Sequence, residues 1–193
     1  MKNIKKLFTD ELITANFLSN LFYSVAAPTI QYILISAVGS KIIAFNSIVV
    51  CVSGVIVPTL WNKFSDKIYK EYGHFLIAET IGYIILMLLI LNNIISNVAY
   101  CILDTFIFSI VSKNLICGNN KLKATRYLKN EREKFDNNIV VASNGSSLIG
   151  FTVSLLFNIP SNIAFILTTI GICIDNIFYF KVYKEEKCKA IDA

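Results

Sequence analysis

Long apolar stretches, separated by short polar segments, dominate the chain. Six of these stretches have the length of about 20 residues that a helix needs to cross the hydrocarbon core of a bilayer. They must be helical there, because lipid offers no partner for a free backbone amide or carbonyl group. The pattern therefore predicts an all-α integral membrane protein with six transmembrane helices. The predicted spans cover approximately residues 11–35, 41–61, 73–92, 97–117, 139–158 and 160–181.

The composition favours the same class of protein. The 193 residues are 55% hydrophobic and 16% charged, and the mean hydropathy is +0.61. Soluble domains are roughly 45–50% apolar and about a quarter charged. A water-soluble globule of this length could not bury so much apolar surface, so we expect the lipid bilayer to be the chain's main partner. The length suits one domain, and we predict a single six-span domain over residues 1–193.

The basic residues predict how the spans are oriented. Seventeen of the 18 Lys and Arg residues fall on one side of the predicted membrane, and only Lys41 falls on the other. Lys and Arg in short loops are retained on the cytoplasmic side. We therefore predict a multi-pass protein of the cell membrane with both termini in the cytoplasm, together with the links at 62–72 and 118–138. The same bias explains the net charge of +5 without a nucleic-acid partner.

Motifs for catalysis or for metal binding do not occur in the sequence. The five cysteines are widely spaced and form no CxxC pair, and four of them lie inside apolar runs, where a thiol behaves as a small hydrophobe. The only histidine, His74, stands at the start of an apolar run. There is no GxSxG, no HExxH and no phosphate-binding GxxxxGK[ST]. We expect no metal, no cofactor and no enzymatic activity.

Three acidic residues, Glu79, Asp104 and Asp175, lie within the predicted spans. A carboxylate at membrane depth is costly, so it usually faces a cavity or a partner and marks a functional position. Glu79 and Asp175 each lie about six residues from a cytoplasmic end, which is roughly 9 Å deep at about 1.5 Å per residue. Asp104 lies about seven residues from the outer end of span four. All three are candidates for proton coupling or substrate binding.

Polar residues also form a stripe along span one. Asn16, Asn20, Tyr23 and Ser24 recur at the helical spacing i, i+4, i+7 and i+8. Such a stripe can line a cavity or can bond to a neighbouring helix, and both alternatives stay open at this stage. On the first alternative, Asn16, Asn20 and Tyr23 join the candidate substrate or proton-coupling residues.

Span five carries a stripe of small residues at i, i+4, i+7 and i+11. Its members are Ser143, Ser147, Gly150 and Ser154. Small residues at this spacing let two helix backbones approach closely. The stripe predicts helix packing within the chain, or equally a dimerisation surface.

The charged segment NKFSDKIYKE, residues 62–71, resembles the signature loop of the major facilitator superfamily, which joins spans two and three. The leucine, small, aspartate, basic and arginine positions of that loop correspond to Phe64, Ser65, Asp66, Lys67 and Lys70. The later segments KATRYLKNEREKFDN and ASNGSSLIG resemble the charged approach to span five and the Gly/Ser-rich span five of exporters in the family. The resemblance covers only the N-terminal half of the twelve-span fold. In the family, that half consists of two inverted three-helix repeats.

The resemblance implies a function. Asp66 would be the anion of a cytoplasmic latch, with Lys67 and Lys70 as its cationic neighbours, and Asp104 would face the central cavity. A half-sized chain would need a second six-span half, either a copy of itself or a companion chain, and would export an unidentified small molecule using an ion gradient. The alternatives are a six-span substrate-binding or accessory membrane subunit and a truncated fragment that transports nothing.

Overall fold

The computed structural model describes residues 10–39 and 41–189, without the side chains of residues 38, 42, 43, 46, 105–110 and 189. The described part of the chain is helical and contains no strand, which confirms the all-α prediction. Its helices are α1 (Glu11–Val38), α2 (Lys41–Lys70), α3 (Tyr72–Leu91), α4 (Asn97–Arg126), α5 (Lys129–Leu156) and α6 (Ser161–Lys189).

Five of these helices contain segments long and apolar enough to cross a membrane, as expected of a multi-pass membrane protein. The five segments are Glu11–Ala37, Ser47–Lys70, Tyr72–Leu91, Lys129–Leu156 and Ser161–Cys188. The predicted fourth span, 97–117, lies within α4, but the side chains of residues 105–110 fall outside the described part. Six spans, and the facilitator-type arrangement of them, therefore stay a prediction.

The charged links are more helical than hydropathy indicates. Helix α2 continues through the segment 62–71 as far as Lys70, and only Phe64 leaves helical geometry, with φ −127° and ψ 26°. The second link is interrupted only between Arg126 and Lys129. The reason is that Lys, Arg and Glu are good helix formers, and cations in the last turn of a helix interact favourably with its dipole.

The described chain forms two compact units. One contains residues 10–29 and 122–189, and the other contains residues 30–121. Each unit has its own buried polar contacts. The prediction of a single domain stays a prediction.

In the first unit, Asp10 fixes the start of α1. Its Oδ1 accepts a hydrogen bond from the backbone N–H of Leu12 at 2.9 Å, which satisfies a donor that the first turn of a helix leaves free. Its Oδ2 accepts the hydroxyl of Tyr127 at 2.6 Å. Burial of the phenol and this hydrogen bond raise the pKa of Tyr127 above its usual range. One carboxylate thus joins the start of α1 to the turn between α4 and α5.

We expect Asp10→Ala to lower the free energy of unfolding by about 1–2 kcal/mol, because the helix loses its N-cap and Tyr127 loses its acceptor. Asp10→Asn keeps an oxygen that can cap the helix and should cost much less. Unfolding of both variants in mixed micelles measures the difference. Equal losses for Ala and Asn would show that the cap contributes little.

In the second unit, α3 and α4 each bury a stripe of residues. The stripe of α3 follows helical periodicity and comprises Leu76, Glu79, Tyr83, Leu86 and Ile90. The buried residues near the start of α4 are Tyr100, Cys101 and Asp104. Two of the three acids predicted at membrane depth therefore lie inside the same unit, each on a buried helix face.

Candidate functional site

Asp104 is buried in the second unit and is held by a tyrosine. Its carboxyl group is 6% exposed, and its Oδ1 accepts a hydrogen bond of 2.8 Å from the hydroxyl of Tyr83. Tyr83 itself is completely buried. A carboxyl group removed from water needs such a donor, because an uncompensated buried polar group is costly.

A second acid and a second tyrosine lie close to this pair. Glu79, 8% exposed, stands one helical turn before Tyr83 on the same face of α3. Tyr100 stands one turn before Asp104 on α4 and is fully buried. Both Glu79 and Tyr100 are near enough to Tyr83 to act on it electrostatically. We call these four residues, Glu79, Tyr83, Tyr100 and Asp104, the acid–tyrosine cluster.

The cluster combines the groups that hold and pass protons. A carboxyl group accepts hydrogen bonds when ionised and donates one when protonated, and a tyrosine hydroxyl can do both. This arrangement can take up and release a proton, or it can bind a cation. No group of three His, Cys, Asp or Glu side chains that could hold a metal ion occurs among the residues described.

Sequence reasoning identified the two acids of this cluster but missed both tyrosines. Tyrosine is common in apolar spans, so a single tyrosine does not by itself indicate a functional position. The available signal was spacing, because Tyr83 follows Glu79 by four residues and Tyr100 precedes Asp104 by four. Side chains four residues apart lie on one helix face.

We expect Tyr83→Phe to lower the free energy of unfolding by about 1–3 kcal/mol, because Asp104 keeps its burial and loses its donor. The matched control is Tyr32→Phe, the same change at a tyrosine that is 73% exposed in the same unit. That control should change stability by less than about 0.5 kcal/mol. Unfolding of the full chain in mixed micelles measures both, and equal effects would contradict the role of the hydrogen bond.

The polar stripe of span one bonds to α5 in the first unit. The Asn20 amide donates to the backbone carbonyl of Ser143 at 3.1 Å and also to the Ser143 hydroxyl. The hydroxyl of Ser24 donates to that of Ser147 at 3.2 Å. Of the two alternatives left by the sequence, the structure gives Asn20 and Ser24 a helix–helix contact. Tyr23 is half-buried on the same helix.

The small residues of span five form the other side of this contact. A Cβ added at Gly150 would lie 2.6 Å from the Cβ of Ser24 and 2.9 Å from the carbonyl oxygen of Leu21. The α1 and α5 backbones can approach this closely only because position 150 has no side chain. Ser154 is half-buried further along α5. The contact accounts for Ser143, Ser147 and Gly150 without a second copy of the chain.

Asp175 and Asn16, the remaining predicted candidates, both belong to the first unit. Asp175 lies on α6 and Asn16 on α1, and each has a buried Oδ1 atom without a hydrogen-bond partner among the described residues. The acids at membrane depth therefore divide into two sets. Glu79 and Asp104 share one unit, and Asp175 lies in the other.

The structure adds a partner to the residues of the predicted latch, whose role stays a prediction. Asp66 forms its ion pair with Lys121, at 2.6 Å from Nζ to Oδ1, and Lys70 acts on it only as a weaker electrostatic neighbour. Lys121 also donates to Ser65 at 3.3 Å and lies 5.2 Å from the centre of the Tyr69 ring. Because α2 is helical here, it carries Ser65, Asp66 and Tyr69 on one surface, where a lysine of α4 reaches them.

Lys67, the other predicted neighbour of Asp66, lies on the same turn of α2. The side chain of Asp66 is 95% exposed, so this ion pair is a solvated contact. Exposed ion pairs of this kind contribute little to stability. The pair therefore marks a place where α2 and α4 meet in the second unit and contributes little to stability.

Comparison of the chain with protein-family models, with curated proteins and with solved structures finds no match. The resemblance to the major facilitator superfamily therefore depends on the segment 62–71 and on the arrangement of the predicted spans. It stays a prediction.

Proposed function

We propose that the chain is a subunit of an ion-coupled secondary transporter and that the acid–tyrosine cluster is its proton site. The observation that carries the proposal is the buried carboxyl group of Asp104, hydrogen-bonded to Tyr83, which also lies within electrostatic reach of Glu79. Ionisable groups inside membrane helices are rare and mark proton relays and ion pathways.

The remaining parts of the proposal come from the sequence. The apolar stretches predict six spans, and the distribution of Lys and Arg predicts that both termini are cytoplasmic. If the fold is half of a facilitator-type carrier, its substrate site lies between two such halves, and the working unit contains a second copy or a companion half. The source of energy is then an ion gradient, and the cargo is a small molecule exported from the cell.

Proton flux in proteoliposomes tests the proposal. The purified full chain is reconstituted with the pH-sensitive dye pyranine inside, and a panel of small organic cations, anions and neutral solutes is added outside. We expect at least one solute gradient to move protons faster than in protein-free liposomes, and crosslinking in native membranes to trap an assembly that contains a second half. A strictly monomeric chain that moves no protons with any solute would favour an accessory subunit or a fragment.

A further inference from the structure

Helices α1 and α6 run antiparallel and touch in the first unit. The ammonium group of Lys181 bonds to the Glu11 carboxylate at 2.8 Å, near the start of α1 and towards the end of α6. Eight residues further along α1, Ser19 meets Gly171, where an added Cβ would lie 2.9 Å from the Ser19 carbonyl oxygen. These two contacts fix the register of α1 against α6, which is to say which residues of the two helices lie side by side.

This correspondence puts Asn16 and Asp175 at the same level of the contact. Asn16 stands three residues before Ser19, and Asp175 stands four residues after Gly171. Since the helices are antiparallel, both residues lie on the same side of the close contact. At about 1.5 Å per residue along the helix axis, Asn16 is roughly 4.5 Å from it and Asp175 is roughly 6 Å from it. Spacings of three and four residues keep both on the faces that meet.

The two side chains present oxygen atoms without donors. Asn16 Oδ1 and Asp175 Oδ1 are both buried, and neither has a hydrogen-bond partner among the described residues. An amide oxygen can only accept hydrogen bonds, and the same holds for the oxygen atoms of an ionised carboxylate. Lys123 acts on Asp175 electrostatically, but its ammonium group pairs with Asp136 at 3.5 Å. Buried acceptors are satisfied in folded proteins almost without exception, so each of these oxygen atoms needs a donor or a cation.

We propose that Asn16 Oδ1 and Asp175 Oδ1 bind a small monovalent metal cation between α1 and α6. Carboxylate and amide oxygens are the ligands that hard cations take. One carboxylate is neutralised by one positive charge, so a monovalent ion matches the charge of this pair. The site uses none of the residues of the acid–tyrosine cluster, and its occupancy can be measured without transport.

Thermal unfolding of the full chain in lipid nanodiscs tests this site. Sodium or potassium chloride is titrated against choline chloride at constant pH and ionic strength. A cation that binds only the folded state raises the unfolding temperature once its concentration exceeds its Kd, so we expect a rise with sodium or potassium and none with choline. Asp175→Asn and Asn16→Ala should each increase the cation concentration at which this rise begins by about tenfold or more. The control Glu133→Gln, which removes an exposed carboxylate of α5, should leave it unchanged.

Three results would overturn the proposal. The first is an unfolding temperature that is the same in all three salts. The second is an unchanged concentration at which the rise begins in either Asp175→Asn or Asn16→Ala, and the two variants are independent in case one does not fold. The third is full stabilisation by lower pH in choline chloride with no further effect of metal cations, which would mean that a proton on Asp175 supplies the missing donor.

Discussion

Replacing Asp104 with asparagine is expected to abolish the proton-coupled movement of solute in proteoliposomes while leaving the chain folded. Asparagine has nearly the same volume and keeps an oxygen that accepts the Tyr83 hydroxyl, which lies 2.8 Å from Asp104 in the wild-type chain. Its amide, however, cannot take up or release a proton. Pyranine fluorescence should therefore fall to the rate of protein-free liposomes, while the unfolding midpoint changes little.

Two further variants make this result specific. Glu71→Gln removes an exposed carboxylate from the same unit and should keep the coupled flux. Glu79→Gln removes the second acid of the acid–tyrosine cluster and should reduce the flux, because the two carboxyl groups both act on Tyr83. If Asp104→Asn keeps full coupled flux, Asp104 is a structural acid and the cluster is not the proton site.

Gly150→Ala is expected to destabilise the first unit strongly, although it adds only one methyl group. The new Cβ would lie 2.6 Å from the Cβ of Ser24 and 2.9 Å from a backbone oxygen, so α1 and α5 must separate. Overpacking of this kind costs about 1–3 kcal/mol, and more where backbone atoms are involved. Separation would also weaken the hydrogen bonds from Asn20 and Ser24 to α5.

Gly145→Ala on the same helix is the matched control. A Cβ added at Gly145 meets no atom within 4 Å, so alanine fits without any movement. Alanine also favours the helix by up to about 1 kcal/mol over glycine. We expect unfolding in mixed micelles to show a loss for Gly150→Ala and no loss, or a small gain, for Gly145→Ala. Equal effects at both positions would show that α1 and α5 are not in close contact.

Much of the helical architecture could be predicted from the sequence, because the thickness of a bilayer fixes the length of an apolar run. The charged link at 62–72 was harder to predict. A hydropathy profile indicates where a segment leaves the lipid, but not where its helix ends. A Lys-rich segment can continue the helix into water with the same helical backbone geometry. The partner of Asp66 was also missed, because Lys121 lies 55 residues away and only the pairing of α2 with α4 brings the two together.

The candidate site shows a similar division. Asp104 and Glu79 stand out in the sequence because charge at membrane depth is costly. Their common neighbour Tyr83 does not, because its importance depends on which helix faces α3. The stripes of span one and span five were each visible by spacing alone. That Asn20 bonds to Ser143, and not to a ligand in a cavity, depends on a contact between helices more than 120 residues apart in the chain.

The outward faces of these helices carry large apolar side chains, such as Leu155, Val55 and Ile48. Such side chains stay in hydrocarbon whether or not the helices have associated, so assembly gains almost nothing from removing them from water. The assembled state must then depend on a few polar bonds and close backbone contacts. A purification detergent that competes for those contacts would separate the helices without melting any of them, so circular dichroism could report a fully helical chain that has lost its tertiary structure.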